Sequence, residues 1–242
     1  MKDLHTHLLF GIDDGAKTIE ETISILKKLE KSGVKELVFT PHYINGTKYN
    51  CNNKEKEEIL EKVKEEIKKE EINIKVYLGN EIFITSKILN LIKKNEIETI
   101  NNGKYILIEL PLESKYNRAE QVINEIVSHG YIPILAHPER YGMFQRHPNL
   151  IEEYLKSGIL LQGNYTSLFG KYGKNAKKTL KLLLKKKYIS FLGSDTHKEF
   201  EYDIKKLKKK LLKITKDEKY TEDILNNNFD KVIKNENIGM IR

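Results

Sequence analysis

Cysteine is nearly absent. The single Cys51 among 242 residues excludes a disulfide framework and any cysteine-rich zinc site. It sits in "YNCNNKEK", a loop-like stretch without a partnering histidine motif, and reads as incidental. Long apolar runs are also absent: none approaches the ~20 residues of a membrane span. The chain opens directly on a strand-like segment, leaving no room for a signal peptide. A cytoplasmic protein without membrane insertion is expected. Gly/Ser/Pro-rich linkers, low-complexity tracts and tandem repeats are missing too. Residues 1–242 therefore read as one domain, with 199–242 as a helical C-terminal extension of two or so charged helices.

Positive charge is in surplus. Lys and Arg number 43 against 35 Asp and Glu, a formal +8. Such a balance fits nucleic acid, acidic lipid or an anionic substrate. However, "EKEEILEKVKEEIKKEE" and "DIKKLKKKLLK" read as solvated helix faces, so no nucleic-acid partner is expected.

Seven short apolar runs recur along the chain: "KDLHTHL" at the start, then 36–42, 74–84, 104–111, 131–140, 158–165 and 188–197. Near-continuous apolar runs mark parallel strands buried on both faces. Amphipathic stretches lie between them, at 18–33, 117–130, 149–158 and 175–187. In the first, Ile19, Ile23, Leu26 and Leu29 keep helical spacing, with Thr18 as N-cap, Glu21 three residues on and Gly33 at the stop. The alternation predicts an α/β fold of barrel type.

Each run turns polar at its end. His5 and His7 close the first, Thr40-Pro41-His42 the second, Gly79-Asn80-Glu81 the third and Glu109 the fourth. His137-Pro138-Glu139-Arg140, Gln162-Gly163-Asn164 and Asp195-Thr196-His197 close the rest. In an αβ barrel these ends converge on one face, where such enzymes keep their active sites. Five of the seven histidines lie there; His129 and His147 do not and read as non-ligands.

Histidine and carboxylate without thiolate suit Mn, Mg, Fe or Zn. Five histidines (His5, His7, His42, His137, His197) and three carboxylates (Glu81, Glu109, Asp195) exceed one ion's needs, so two or three bridged divalent ions are inferred. Such a cluster suits hydrolysis, because a metal lowers the pKa of water to about 7. Its charge favours a dianion such as phosphate, and Arg140 offers a planar fork for phosphate oxygens. Asp14 in "GIDDGA" is a candidate acid, water-orienting group or ligand support. Asp13 reads as turn or cap chemistry.

Together, "DLHTHLLFGIDDGAKTIEET", "FTPHY", "GNEIFI", "IELP", "ILAHPERY" and "LGSDTH" resemble the PHP (polymerase and histidinol phosphatase) superfamily. The likeness is strongest to the tyrosine-protein phosphatases encoded with bacterial capsule and exopolysaccharide clusters. It runs from about residue 1 to about 198. It implies a distorted seven-stranded (β/α) barrel and three metals, commonly manganese. It implies the eight ligands named above, with Arg140 as a phosphate-binding residue. It also implies a partner, a bacterial tyrosine kinase whose phosphorylated tail is the substrate. Gly163 and Tyr165 in "QGNYTSLFG" and Phe10 in "LLFGIDDGA" depart from the family pattern, and 199–242 matches nothing in it. Tyr43, Phe83, Tyr141 and Tyr165 stand near strand ends, where packing competes with stacking on a substrate ring. The alternatives are a small-molecule phosphomonoesterase or phosphodiesterase on the same cluster, and a metal-stabilised nucleic-acid-binding module.

Overall fold

A computed structural model describes residues 1–113, 118–198 and 203–239. Among them the seven apolar runs become nine strands. These are β1 (Lys2–Thr6), β2 (Glu36–Phe39), β3 (His42–Tyr43), β4 (Lys75–Leu78), β5 (Glu81–Phe83), β6 (Tyr105–Glu109), β7 (Ile132–Ala136), β8 (Leu160–Asn164) and β9 (Phe191–Gly193). Every strand pairing is parallel.

The parallel α/β architecture expected of a distorted seven-stranded barrel is present. The strands form two sheets, one of three strands in the order β1-β2-β4 and one of six in the order β3-β5-β6-β7-β8-β9. The second and third runs break at Thr40-Pro41 and Gly79-Asn80. Proline has no N–H for a ladder. At Asn80 the side chain, not the ladder, bonds its surroundings: Nδ2 donates to Pro41 O at 2.9 Å and Oδ1 accepts from Glu98 N at 2.8 Å. The sheets adjoin where His7 N donates to Thr196 O at 2.8 Å and Asp195 N to His5 O at 3.0 Å.

Side-chain alternation divides the core. Leu4, Val38, Leu107, Ile134, Leu160 and Phe191 face inward to one buried cluster. Leu37, Ile106, Ile108, Leu135, Leu161 and Leu192 face the covering helices. The helices are α1 (Ile19–Lys31), α2 (Asn53–Lys69), α3 (Ile88–Lys93), α4 (Ala119–Ser128), α5 (Gly142–Arg146), α6 (Leu150–Lys156), α7 (Gly173–Lys185), α8 (Ile204–Thr215), α9 (Glu218–Glu222) and α10 (Asn228–Ile233). Thr18 caps α1 as the sequence predicts, accepting from Glu21 N at 3.3 Å. The C-terminal extension is more than charged cover. Phe229 and Val232 of α10 enter the inner cluster beside Leu4 and Tyr105. Residues 114–117, 199–202 and 240–242, which include the start of the helix expected at 117–130, lie outside the described residues.

Candidate metal centre

The polar strand ends converge. His5 and His7 are fully buried, and each has one ring nitrogen engaged. Gln162 Nε2 donates to Asn164 Oδ1 at 3.0 Å, which leaves Gln162 Oε1 to accept from His5 Nδ1 at 2.7 Å. Asp13 Oδ2 accepts from His7 Nδ1 at 2.6 Å. Both imidazoles therefore carry hydrogen on Nδ1 and turn Nε2 inward, where the two Nε2 atoms stand 3.0 Å apart. Two facing lone pairs repel unless a proton or a cation lies between them. Glu81 Oε2 lies 3.4 and 3.3 Å from those nitrogens, and Asp195 Oδ1 3.7 and 3.5 Å. Two imidazoles and two carboxylates around one point is a cation-binding arrangement.

Glu81 links this point to a second one. Its Oε2 is 2.9 Å from His42 Nδ1, and its Oε1 is 2.9 Å from His137 Nε2. His42 Nδ1 and Glu81 Oε2 nevertheless lack the alignment of a hydrogen bond, and both are buried without another partner. Orphaned buried donors and acceptors this close fit a shared ion. Glu109 stands 3.5 Å from His137 Nε2 and 4.0 Å from His42 Nδ1. A third grouping joins Asp14 Oδ1 to His197 Nε2 at 3.4 Å and His42 Nε2 at 3.6 Å. Three overlapping donor sets result: His5, His7, Glu81; His42, Glu81, Glu109; and His7, Asp14, His42, His197. His137 and Asp195 flank these sets. His129 and His147 stand apart; His129 Nδ1 is occupied by Glu125 O at 2.9 Å.

Two candidate ligands have left-handed backbone, His137 at φ 35° and Asp195 at φ 53°. A buried non-glycine residue there stores strain of the kind that collects at functional sites. Space is tight around His7 and His5. A Cβ on Gly15 would meet His7 O at 1.8 Å, and one on Gly193 would meet His5 Cβ at 2.9 Å.

The electrostatics follow from burial. Burial alone would raise the Asp195 carboxyl, but His5, His137 and His7 hold it well below the usual range. Burial, then the neighbouring Glu81 carboxylate, pushes Glu109 up to about 8. Burial works to lower His5 and His7, but nearby carboxylates outweigh it and raise both. Burial lowers His137. Carboxylates and imidazoles crowded to this degree match a site for divalent cations.

Arg140 lies at the mouth. Its Nη1 donates to Asp195 Oδ2 at 2.7 Å. The same oxygen accepts from Asn164 Nδ2 at 2.8 Å and from Tyr172 OH at 3.2 Å. The Tyr172 ring lies 4.3 Å from the Arg140 guanidinium carbon. Asp14, half-exposed, is the carboxylate nearest solvent.

Sequence reasoning missed several members of this site. Asp13 is not turn chemistry alone: Oδ1 makes the turn with Gly15 N, and Oδ2 orients His7 and accepts from His42 N. Its position one residue before Asp14 was the available signal. Gln162 and Asn164 appeared only as strand-end polar residues. Tyr172 had no signal to separate it from the other tyrosines. Tyr43, Tyr141 and Tyr165 are core residues. Gly163 packs against Leu180 and Ile189, away from the donors. Cys51 lies beside Glu55, and burial pushes its thiol up to about 12.

A parallel α/β scaffold with a buried histidine–carboxylate cluster at its strand ends is the architecture of a metal-dependent hydrolase. The chain belongs to the CpsB/CapC capsular polysaccharide synthesis family, whose model matches residues 1–234. It is 37% identical to CapC of Staphylococcus aureus over 198 residues, 81% of this chain and 77% of that one. It is 32% identical to YwqE of Bacillus subtilis, a tyrosine-protein phosphatase, over 197 residues, again 81% and 77%. A crystal structure from work on YwqE and Streptococcus pneumoniae CpsB, described as metal-dependent tyrosine phosphatases, superposes with a TM-score of 0.92 at 28% identity, covering 100% of this chain and 97% of that one. The fold alone is shared with an amidohydrolase of Mycoplasma synoviae, TM-score 0.60 at 12% identity.

Proposed function

We propose that this chain is a metal-dependent phosphatase that removes phosphate from tyrosine in a protein. The tail of a bacterial tyrosine kinase controlling capsular polysaccharide synthesis is the proposed substrate, and the cytoplasm the proposed location. The observation that supports it most is the pair of inward Nε2 atoms of His5 and His7, each fixed from behind and faced by Glu81 and Asp195. We assign the ions as two or three, most often Mn²⁺, held by His5, His7, His42, Glu81, Glu109, His137, Asp195 and His197. The whole of 1–242 is proposed as the catalytic unit, its two sheets acting as halves of one distorted seven-stranded barrel. No described helix is long and apolar enough to cross a membrane.

When bound, divalent ions lower the pKa of water and offset the charge of the phosphoryl group. The chain's own residues do the rest. Asp13 and Gln162 hold the His7 and His5 rings in the tautomer that presents Nε2. Asp195 fixes Arg140, whose guanidinium orients phosphoryl oxygens and stabilises charge that grows on them. Asp14, held well below the usual carboxylate range chiefly by its hydrogen bond to His197, stays ionised at the rim and orients attacking water. Phenolate is a good leaving group, with a pKa of about 10, so little acid assistance is needed.

The test is hydrolysis of a phosphotyrosyl peptide beside a phosphoseryl peptide and histidinol phosphate, with Mn²⁺ and with chelator. Metal-dependent cleavage confined to the tyrosyl peptide is expected. Preference for histidinol phosphate would move the reading to a small-molecule phosphatase.

A further inference from the structure

The surplus charge of the chain is concentrated rather than scattered. α7 carries five lysines and α8 six, and neither contains a carboxylate. Those two helices exceed the whole formal excess of +8. α2 is different, because its lysines alternate with glutamates and pair within the helix, as in Lys64–Glu61 and Lys69–Glu66. A solvated face of mixed sign describes α2 and fails for α7 and α8.

The α7 lysines form one stripe. Lys174, Lys177, Lys178, Lys181 and Lys185 recur at i, i+3, i+4, i+7 and i+11, on one side of the helix. With Arg146 of α5 they line a groove of about 560 Å³. Among the described residues none of these six cations has a carboxylate at ion-pair distance. The next two lysines do: Lys186 meets Glu152 at 2.8 Å and Lys187 meets Asp217 at 2.6 Å. Lys177, Lys181 and Lys206 also crowd Lys210, which burial and their charge together lower. Like charges gathered in a groove cost stability, and an anionic occupant relieves that cost.

The groove abuts the metal centre. Gln145, on its wall, donates to Glu139 O at 2.9 Å, directly beside Arg140. α7 begins one residue after Tyr172, whose hydroxyl reaches Asp195. The 13 residues of α7 extend about 20 Å from that point, enough for about six residues of extended chain. The lining contains no aromatic residue, so it lacks the stacking platforms that hold single-stranded nucleic acid. Its concavity suits a chain better than a flat bilayer.

We propose that the α5–α7 groove binds an acidic segment adjoining the phosphotyrosine of the protein substrate. Carboxylates lie along Arg146, Lys178, Lys181 and Lys185 while the phosphoryl group faces Arg140. This rests on the phosphotyrosine reading above and adds an acidic flank to it.

The test compares two phosphotyrosyl peptides of equal length, one with four Glu or Asp residues beside the tyrosine and one with Ser and Gln. Each is assayed with the Mn²⁺-loaded protein and with the triple variant Lys178→Ala, Lys181→Ala, Lys185→Ala. At low salt the unsubstituted protein should favour the acidic peptide at least tenfold in kcat/KM. The triple variant should lose most of that preference while hydrolysing phenyl phosphate within twofold of the unsubstituted rate. Equal use of both peptides, or a preference that survives in the variant, would overturn the proposal. A binding arm separates this inference from the function it rests on. The unphosphorylated acidic peptide, followed by fluorescence anisotropy, should bind the unsubstituted protein and not the variant, even if neither phosphopeptide is cleaved. Lysine-dependent binding of anionic phospholipid vesicles or duplex DNA, with none of the peptide, would overturn it in favour of those partners.

Discussion

Asp13 gives one carboxylate oxygen to a turn and the other to the candidate metal centre. Oδ1 accepts from Gly15 N at 2.9 Å, while Oδ2 accepts from His42 N at 2.9 Å and His7 Nδ1 at 2.6 Å. Burial alone would raise its pKa, but the charge and hydrogen bond of His7 bring it down to about 2. It is therefore anionic at any working pH and fixes the His7 tautomer. Partners of this kind are worth roughly 10–100-fold in metal affinity or activity. Asp13→Asn keeps the size but turns an amide donor toward groups that are themselves donors. Calorimetric titration of Mn²⁺ into this variant should show a loss in that range; unchanged affinity and turnover would remove Asp13 from the site. Lys56 shows the opposite case of a charge held without an equal partner. It is fully buried beneath Tyr43, with Nζ donating to Asn80 Oδ1. Desolvation lowers its pKa to about 8, against the pull of Glu98. The sign follows from proton counts. Between about 8 and 10.5 the unfolded chain holds a proton that the folded one has released, so stability rises with pH through that window. The full effect is about 3 kcal/mol. Urea titrations at pH 7, 9 and 10.5 should show that rise in the unsubstituted protein and a flatter profile in Lys56→Met, whose Asn80 keeps Glu98 N as a donor.

At the scale of elements, α10 closes the inner cluster of the sheets. Phe229 is buried against the Tyr77 ring at 6.0 Å, beside Leu4 and Tyr105. Truncating a buried phenylalanine costs about 3–5 kcal/mol. Phe229→Ala should lower the urea midpoint accordingly with an unchanged m-value; an effect below about 1 kcal/mol would mean that α10 merely rests on the sheets. This role was not legible, because the extension announced itself only by charge and its two inward residues are outnumbered. Much of the rest was legible. Parallel strands buried on both faces must be apolar throughout, so their polar ends stand out, and each candidate ligand falls at one of them. The strand breaks were hidden because Thr40-Pro41 and Gly79-Asn80 read as polar run ends, whereas the short strands β3 and β5 resume directly after them. Asp13 and Tyr172 were hidden differently: the bonds of Asp13 to the His7 ring and His42 N, and of Tyr172 to Asp195, form only on folding, and neither residue interrupts a pattern. The lysines of α7 were visible, but that none of them has a carboxylate at ion-pair distance among the described residues appears only when the helices are packed.

For the molecule as a whole, the donor cluster sets an electrostatic problem that folding alone leaves unsolved. Glu81, Glu109 and Asp195 meet among five imidazoles in a nearly dry interior, and the Glu81 carboxylate helps burial push Glu109 up to about 8. A divalent ion bound there removes the repulsion, and the unfolded chain has no such arrangement to offer it. Ligand that binds only the folded state stabilises by mass action, by about 2.7 kcal/mol at a free concentration one hundred times Kd. For a chain of this size that corresponds to a rise in Tm of about 5–10 °C. Scanning calorimetry of chelator-treated protein with and without added Mn²⁺ should show the rise, and excess chelator should reverse it. Glu81→Ala removes a member common to two of the three donor sets. It should abolish most of the metal-dependent rise, whatever its own Tm without metal. A variant that kept the full increment would place the bound ion elsewhere in the molecule, and the Nε2 atoms of His5 and His7 would then be reconciled by a shared proton instead.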